Sequence, residues 1–198
     1  DAIELGDRLV DVLGHDDGFT RHPPTWRGPD NKLIEFRGCE LEKDKQRYKG
    51  KARDLIFYDE LADFLESQYV FINAWNRSTD PKQRCRIVGA TNGPTTAEGM
   101  WIVKRWAAWL DPNHPNRAKD GELRWYLTID GHDAEIDGPG PHEVRGKMVR
   151  ATSRTFIRSK LEDNPDLAGT NYGDRLESLP EALRRVYRDG DMTVGLKD

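Results

Sequence analysis

Two adjacent carboxylates, Asp59 and Glu60, close the apolar run Leu55-Ile56-Phe57-Tyr58. An unbroken apolar run of this kind predicts a strand buried on both faces of a parallel sheet. Ligands of such sheets bind beyond the carboxyl ends of the strands. An Asp-Glu pair there can divide the work of nucleotide hydrolysis, the aspartate holding hydrated Mg²⁺ and the glutamate orienting or deprotonating the attacking water. A strand-end acid also serves as a simple helix cap or a solvated residue. A second apolar run, Cys85-Arg86-Ile87-Val88-Gly89-Ala90, leads into Thr91-Asn92-Gly93-Pro94, which offers a hydroxyl and an amide. Tips of adjacent strands lie about 4.8 Å apart, so Thr91 and Asn92 are placed to sense a γ-phosphate beside the carboxylates. Asn-Gly-Pro is equally ordinary turn chemistry.

The elements that must position these groups follow from periodicity and punctuation. Ile3 to Leu13 reads as an amphipathic helix stopped by Gly14. Residues 15–31, with Pro23, Pro24, Gly28 and Pro29, read as loop, Leu33 to Phe36 as a short strand, and the charged stretch up to Tyr48-Lys49-Gly50 as a solvated connection. Leu61, Phe64, Leu65, Gln68, Ile72 and Trp75 recur at helical spacing, predicting one helix packed on the sheet. Ala97 to Leu110 predicts another, ended by Asp111-Pro112. Strand, helix, strand, helix with apolar strands argues for a parallel α/β sheet. Leu123 to Ile129 and Ala134 to Ile136 then predict a β-hairpin about Asp130-Gly131-His132-Asp133. Gly138-Pro139-Gly140-Pro141 is punctuation, Thr155-Phe156-Ile157 a short extended piece, and Leu161 to Leu167 and Pro180 to Arg188 short helices, the last ended by Gly190.

Composition bounds the rest. The 198 residues suit one α/β domain, alone or with a small appendage. A third are charged and the mean hydropathy is −0.84, so the core is modest. No apolar stretch approaches the roughly 20 residues of a membrane span, and no secretion signal is visible. Cys39 and Cys85 lack metal-type neighbours, which argues against a zinc site or a disulfide framework and fits a reducing compartment. With a net charge of −4, any DNA contact must use a local patch. Lys104, Arg105, Arg145, Lys147, Arg150, Arg154 and Arg158 make the second half locally basic. They either track a phosphate backbone or are interspersed surface charge. His132, Asp133, Asp137, His142 and Glu143 read as an exposed hairpin loop rather than a metal site, Arg77 as a solvated loop arginine rather than an arginine finger, and Trp101, Trp106 and Trp109 as core.

Taken in order, Tyr48-Lys49-Gly50, the run ending in Asp59-Glu60, Phe64, Gln68 and Arg86 to Pro94 resemble the ATPase domain of tailed-phage terminase large subunits, the motors that pump DNA into capsids. Ser153 to Ile157, Asp163-Asn164-Pro165, Tyr172, Leu176, Leu179-Pro180 and Gly190-Asp191 resemble the segment that closes that domain before the nuclease. The resemblance runs from about Trp26 to Asp191. It implies a parallel sheet of the P-loop NTPase (ASCE) type with flanking helices and a β-hairpin and helical lid-like segment. It divides the chain into ATPase core (1–121), lid and linker (122–190) and the start of a nuclease linker (191–198).

By position, the resemblance makes Asp59 the Mg²⁺-linked Walker B aspartate, Glu60 the catalytic carboxylate, and Thr91 and Asn92 the coupling motif beside ATP. Gly93 stands where the family places proline directly after asparagine, and Arg158 where many relatives have proline. No G-x-x-x-x-G-K-[ST] phosphate loop precedes Asp59, which implies a piece that starts downstream of that loop and turns over ATP poorly alone. Implied partners are double-stranded DNA, the portal, the small terminase subunit and further copies in a ring, in the cytoplasm of an infected or lysogenic bacterium. Alternatives are a helicase-like nucleic-acid-dependent ATPase, which lacks support from helicase motifs, and a non-catalytic DNA- or portal-binding module.

Overall fold

A computed structural model describes residues 2–167 and 170–194. The chain divides into two compact units, residues 1–54 with 67–84, and residues 55–66 with 85–198. The last part of the expected linker, residues 195–198, lies outside the described residues.

The first unit opens with α1 (Ala2–Leu13), which ends where sequence punctuation places it. Gly14 adopts φ 72° and its N–H closes on the Val10 carbonyl, the left-handed stop that glycine favours. The stretch expected to be loop instead forms β1 (Phe19–Arg21) and β2 (Pro24–Arg27), which pair antiparallel with each other and then with β3 (Leu33–Glu35). Prolines tolerate this because Pro24 opens its strand, where a missing N–H costs no ladder bond, while its carbonyl accepts from Phe36 N–H at 3.1 Å. Phe19 covers Gly6 of α1 so closely that a Cβ there would meet its ring at 2.5 Å.

The expected solvated connection is also folded. Glu42–Tyr48 form a 3₁₀ stretch, with the buried Asp44 carboxylate accepting from Leu41 N–H at 2.9 Å. Opposite it runs α2 (Glu66–Asn73). Its fully buried Gln68 donates to the Cys39 and Leu41 carbonyls at 3.2 and 3.1 Å, and Ser67 donates to Glu42 at 2.8 Å. A buried amide needs such partners, and they order a segment that composition alone leaves as loop. Burial chiefly, then the neighbouring Cys39, pushes the Tyr48 phenol up to about 12. Burial, reinforced by Asp44 and Glu42, raises the Cys39 thiol.

The second unit contains β4 (Leu55–Tyr58) and β5 (Arg86–Gly89), paired parallel with Leu55 opposite Arg86 and Tyr58 opposite Gly89. The parallel pairing expected of the two runs forms, but the sheet of P-loop NTPase type does not. The described parallel sheet has two strands, and the other sheets are small and antiparallel. The strands that follow pair antiparallel, several of them across tight turns, which force antiparallel pairing. Nor is β4 buried on both faces. Tyr58 is buried, whereas Leu55 and Phe57 are 57% and 58% exposed.

Both helices expected around this pair are interrupted. After Glu60 a 3₁₀ turn spans Leu61–Asp63, and Phe64 is extended. The Phe64 carbonyl accepts from the Trp101 indole N–H at 2.8 Å and its ring lies edge-on to Tyr58 at 5.0 Å. The second helix is a 3₁₀ turn (Ala97–Met100), α3 (Trp101–Arg105) and α4 (Ala107–Leu110), broken at Trp106. Trp101 and Trp109 are core, as expected. Trp106 is half-buried, donating its indole N–H to the Thr155 carbonyl at 3.0 Å.

The expected hairpin forms as β6 (Arg124–Ile129) and β7 (His132–Ile136) about Asp130-Gly131, both at positive φ, the two-residue turn that Asp-Gly prefers. A second ribbon, β8 (His142–Val144) with β9 (Lys147–Val149), follows. Then β10 (Thr152–Arg154), just ahead of the expected extended piece, pairs with β6. The chain continues through α5 (Tyr172–Glu177) and α6 (Glu181–Tyr187), with Gly190 at φ 64°. Among the described residues no helix is long and apolar enough to cross a membrane.

Candidate functional site

The matched register of β4 and β5 brings their two tips side by side. Asp59, Glu60, Ala90, Thr91 and Asn92 line one cleft of about 250 Å³. Four backbone and side-chain bonds stitch its rim. Ala90 N–H donates to the Tyr58 carbonyl and Leu61 N–H to the Ala90 carbonyl, each at 2.9 Å. Thr91 Oγ1 accepts from Ala62 N–H at 3.0 Å and donates to the Asn92 carbonyl at 2.8 Å.

Glu60 turns the chain at φ 50°, ψ 57°, a left-handed conformation that costs a non-glycine residue about 1–2 kcal/mol. The Leu61–Ala90 and Ala62–Thr91 bonds hold it there, and Asp63 N–H caps its carbonyl at 2.9 Å. The effect is to turn Glu60 abruptly after Asp59, with both residues exposed at the cleft.

Of the four residues singled out in the sequence, three side chains are uncommitted. Asp59, Glu60 and Asn92 are exposed, and their side chains engage no described neighbour. Thr91 differs: both capacities of its hydroxyl are spent on the rim. Thr91 therefore acts as the tie between the two tips, and Asn92 is the group free to meet a ligand. Behind them Gly93 and Pro94 are buried. A Cβ on Gly93 would stand 2.3 Å from the Asp191 carbonyl oxygen, so the C-terminal segment packs closely against Gly93.

Arg77, Arg158 and His142 make local contacts instead. Arg77 is exposed, its guanidinium 5.3 Å from the Trp75 ring. Arg158 bridges the Asp120 carboxylate and the Trp109 carbonyl. Among the described residues no group of three or more His, Cys, Asp or Glu side chains is arranged to hold a metal, and His142 instead meets the Gly138 carbonyl at 2.9 Å.

Sequence reasoning did not find a second cleft, of about 260 Å³, lined by Arg105, His114, Tyr126, Asp133, Glu135 and Arg154 among others. Arg154 stacks 4.3 Å over Tyr126 and pairs with Asp133 at 2.7 Å. Arg105 approaches the same carboxylate at 3.5 Å. Burial works to raise the Asp133 pKa, but hydrogen bonds from Thr128 and Arg154 and the charges of Arg154 and Arg105 hold it below the ordinary carboxylate value. The only sequence signal was charge complementarity between residues some twenty positions apart, which no spacing rule selects.

No family model, curated protein or solved structure matches the chain.

Proposed function

We propose that the cleft at the tips of β4 and β5 is the hydrolytic part of an ATP site, and that the chain belongs to an ATP-driven DNA-packaging motor of the terminase large-subunit kind. The single observation that carries the reading is the convergence of Asp59, Glu60 and Asn92, all uncommitted, in one cleft at the carboxyl ends of two parallel strands.

The donor set fits Mg²⁺, which keeps several waters and binds through one or two carboxylates plus substrate phosphates rather than a protein cage. Asp59 would be the residue that holds the ion. When bound, Mg²⁺ neutralises charge on the β- and γ-phosphate oxygens. Glu60 accepts the proton of the attacking water and fixes its line of approach. The Asn92 amide donates to a γ-phosphate oxygen and so distinguishes bound ATP from ADP. Thr91 couples that contact to the acid turn, because its hydroxyl joins Asn92 to Ala62. The reading also requires backbone N–H groups and a Lys or Arg around the β-phosphate, and no G-x-x-x-x-G-K-[ST] motif precedes Asp59.

Duplex DNA, a portal, a small terminase subunit and further copies in a ring are the partners this reading implies, in the cytoplasm of a bacterial host. The test is ATP turnover by the full-length gene product carrying these residues, with and without duplex DNA. DNA-stimulated hydrolysis abolished by Asp59→Asn supports the reading. DNA or portal binding without any turnover favours a binding module instead. The 198-residue chain alone is expected to show no measurable turnover.

A further inference from the structure

In a chain of net charge −4, residues 144–160 contain six cations and no carboxylate. The fold commits half of them. Arg154 is stacked on Tyr126 and paired with Asp133, and Arg158 is paired with Asp120. Arg145 meets Asp130 with both side chains well exposed, an arrangement that water and salt weaken. Lys147, Arg150 and Lys160 are exposed and have no acidic partner among the described residues.

Two of these free cations lie on or beside the β8–β9 ribbon. Among the described residues the two strands pair only with each other, and they turn tightly at Arg145-Gly146, with φ 50° and 75°. The ribbon's base is tied down by Ala151 N–H donating to the Pro139 carbonyl at 3.0 Å. Beyond that base it offers Lys147, Met148 (64% exposed), Val149 and Arg150 to solvent. A lone two-stranded ribbon has the width that the major groove of B-DNA admits, about 12 Å. Cations without internal partners are what phosphate neutralisation requires.

We infer that the β8–β9 ribbon is a duplex-DNA contact, with Lys147 and Arg150 on backbone phosphates and the Arg145-Gly146 tip directed into the groove. The choice of duplex rests on the motor reading above; the ribbon geometry and its unpaired charge stand independently. Among anionic partners, a duplex suits a narrow ribbon with cations beside it, whereas a membrane suits a broader apolar face.

The test is anisotropy of a short labelled duplex titrated with the 198-residue chain between about 50 and 200 mM salt. Each phosphate contact contributes about 0.9 to the slope of log affinity against log salt. Lys147→Ala/Arg150→Ala should therefore flatten the slope by about 1.8, so that over the fourfold salt change wild type loses about 12-fold more affinity than the variant. Lys147→Arg/Arg150→Lys should keep the wild-type slope, and circular dichroism should show all variants folded. The inference is overturned if the alanine variant titrates like wild type, if no duplex binding is seen, or if phosphatidylserine vesicles bind while duplex does not. Glu60→Gln should leave this titration unchanged, so failure at the ribbon and failure at the ATP site are read separately.

Discussion

Thr91 is the point at which local stability and the candidate chemistry meet. Thr91→Val keeps the side-chain shape and deletes the hydroxyl that accepts from Ala62 N–H and donates to the Asn92 carbonyl. A net intramolecular hydrogen bond is worth about 1 kcal/mol, and stranding a buried partner costs about 1–3 kcal/mol. Ala62 is half-buried, so water partly replaces the lost acceptor and the lower part of that range, about 1–2 kcal/mol, is expected. The loss falls on the turn that holds Glu60 left-handed, so it should appear as local opening before global unfolding. Amide hydrogen exchange at Ala62 and its neighbours should accelerate by about 5–30-fold, the range that corresponds to 1–2 kcal/mol. Exchange at α6 should be unchanged. Thr91→Ser, which restores the hydroxyl, should recover most of the protection. If Ala62 exchanges in Thr91→Val as in wild type, the tie between the two strand tips does not hold the site.

Three further outcomes follow from other parts of the fold. Gly93→Ala should lower the urea midpoint by about 1–3 kcal/mol of stability, because its Cβ would stand 2.3 Å from the Asp191 carbonyl oxygen; a loss under about 0.5 kcal/mol would mean this approach is not close in solution. Asp133 has its folded pKa depressed, so its contribution is complete above about pH 4 and lost as pH falls through the folded value. Urea unfolding from pH 5 to pH 2 should show a shallower acid limb in Asp133→Asn, and an identical limb would contradict the assignment. The Tyr48 phenol, raised to about 12, contributes stability that is present below about pH 10 and lost as pH rises towards the folded value. Absorbance titration of tyrosinate should lose its latest phenol in Tyr48→Phe, whereas loss of one titrating near pH 10 would refute the burial argument.

The parts of the fold legible in the sequence are those set by neighbours in the chain. Gly14 ends α1, Asp130-Gly131 closes the β6–β7 hairpin, and two apolar runs flanking a helical stretch form a parallel pair. The parts that were not legible depend on distant partners. Phe64 breaks the expected helix to place its carbonyl on Trp101, thirty-seven residues away. Trp106 breaks the next one to reach Thr155, forty-nine residues away. Gln68 reads as one more helix-face position, yet it is the buried amide that orders residues 39–41.

At the candidate site, sequence identified four of the five residues that line the cleft but could not divide their roles. That division required the hydrogen bonds of Thr91. The continuous apolar pattern of Leu55 to Tyr58 also misled about burial, because it reports side-chain type and not what packs against each face. That pattern predicts a parallel α/β sheet and the terminase resemblance implies one of P-loop NTPase type, whereas two parallel strands are what the described residues form.

The central claim is that Glu60 activates water for ATP hydrolysis in the cleft it shares with Asp59 and Asn92. The most direct measurement is the DNA-stimulated turnover and nucleotide affinity of Glu60→Gln in the full-length gene product. The account predicts kcat lower by at least about 100-fold, the usual scale for removing a general base, with nucleotide affinity within about twofold of wild type. Turnover at the wild-type rate in Glu60→Gln would contradict it.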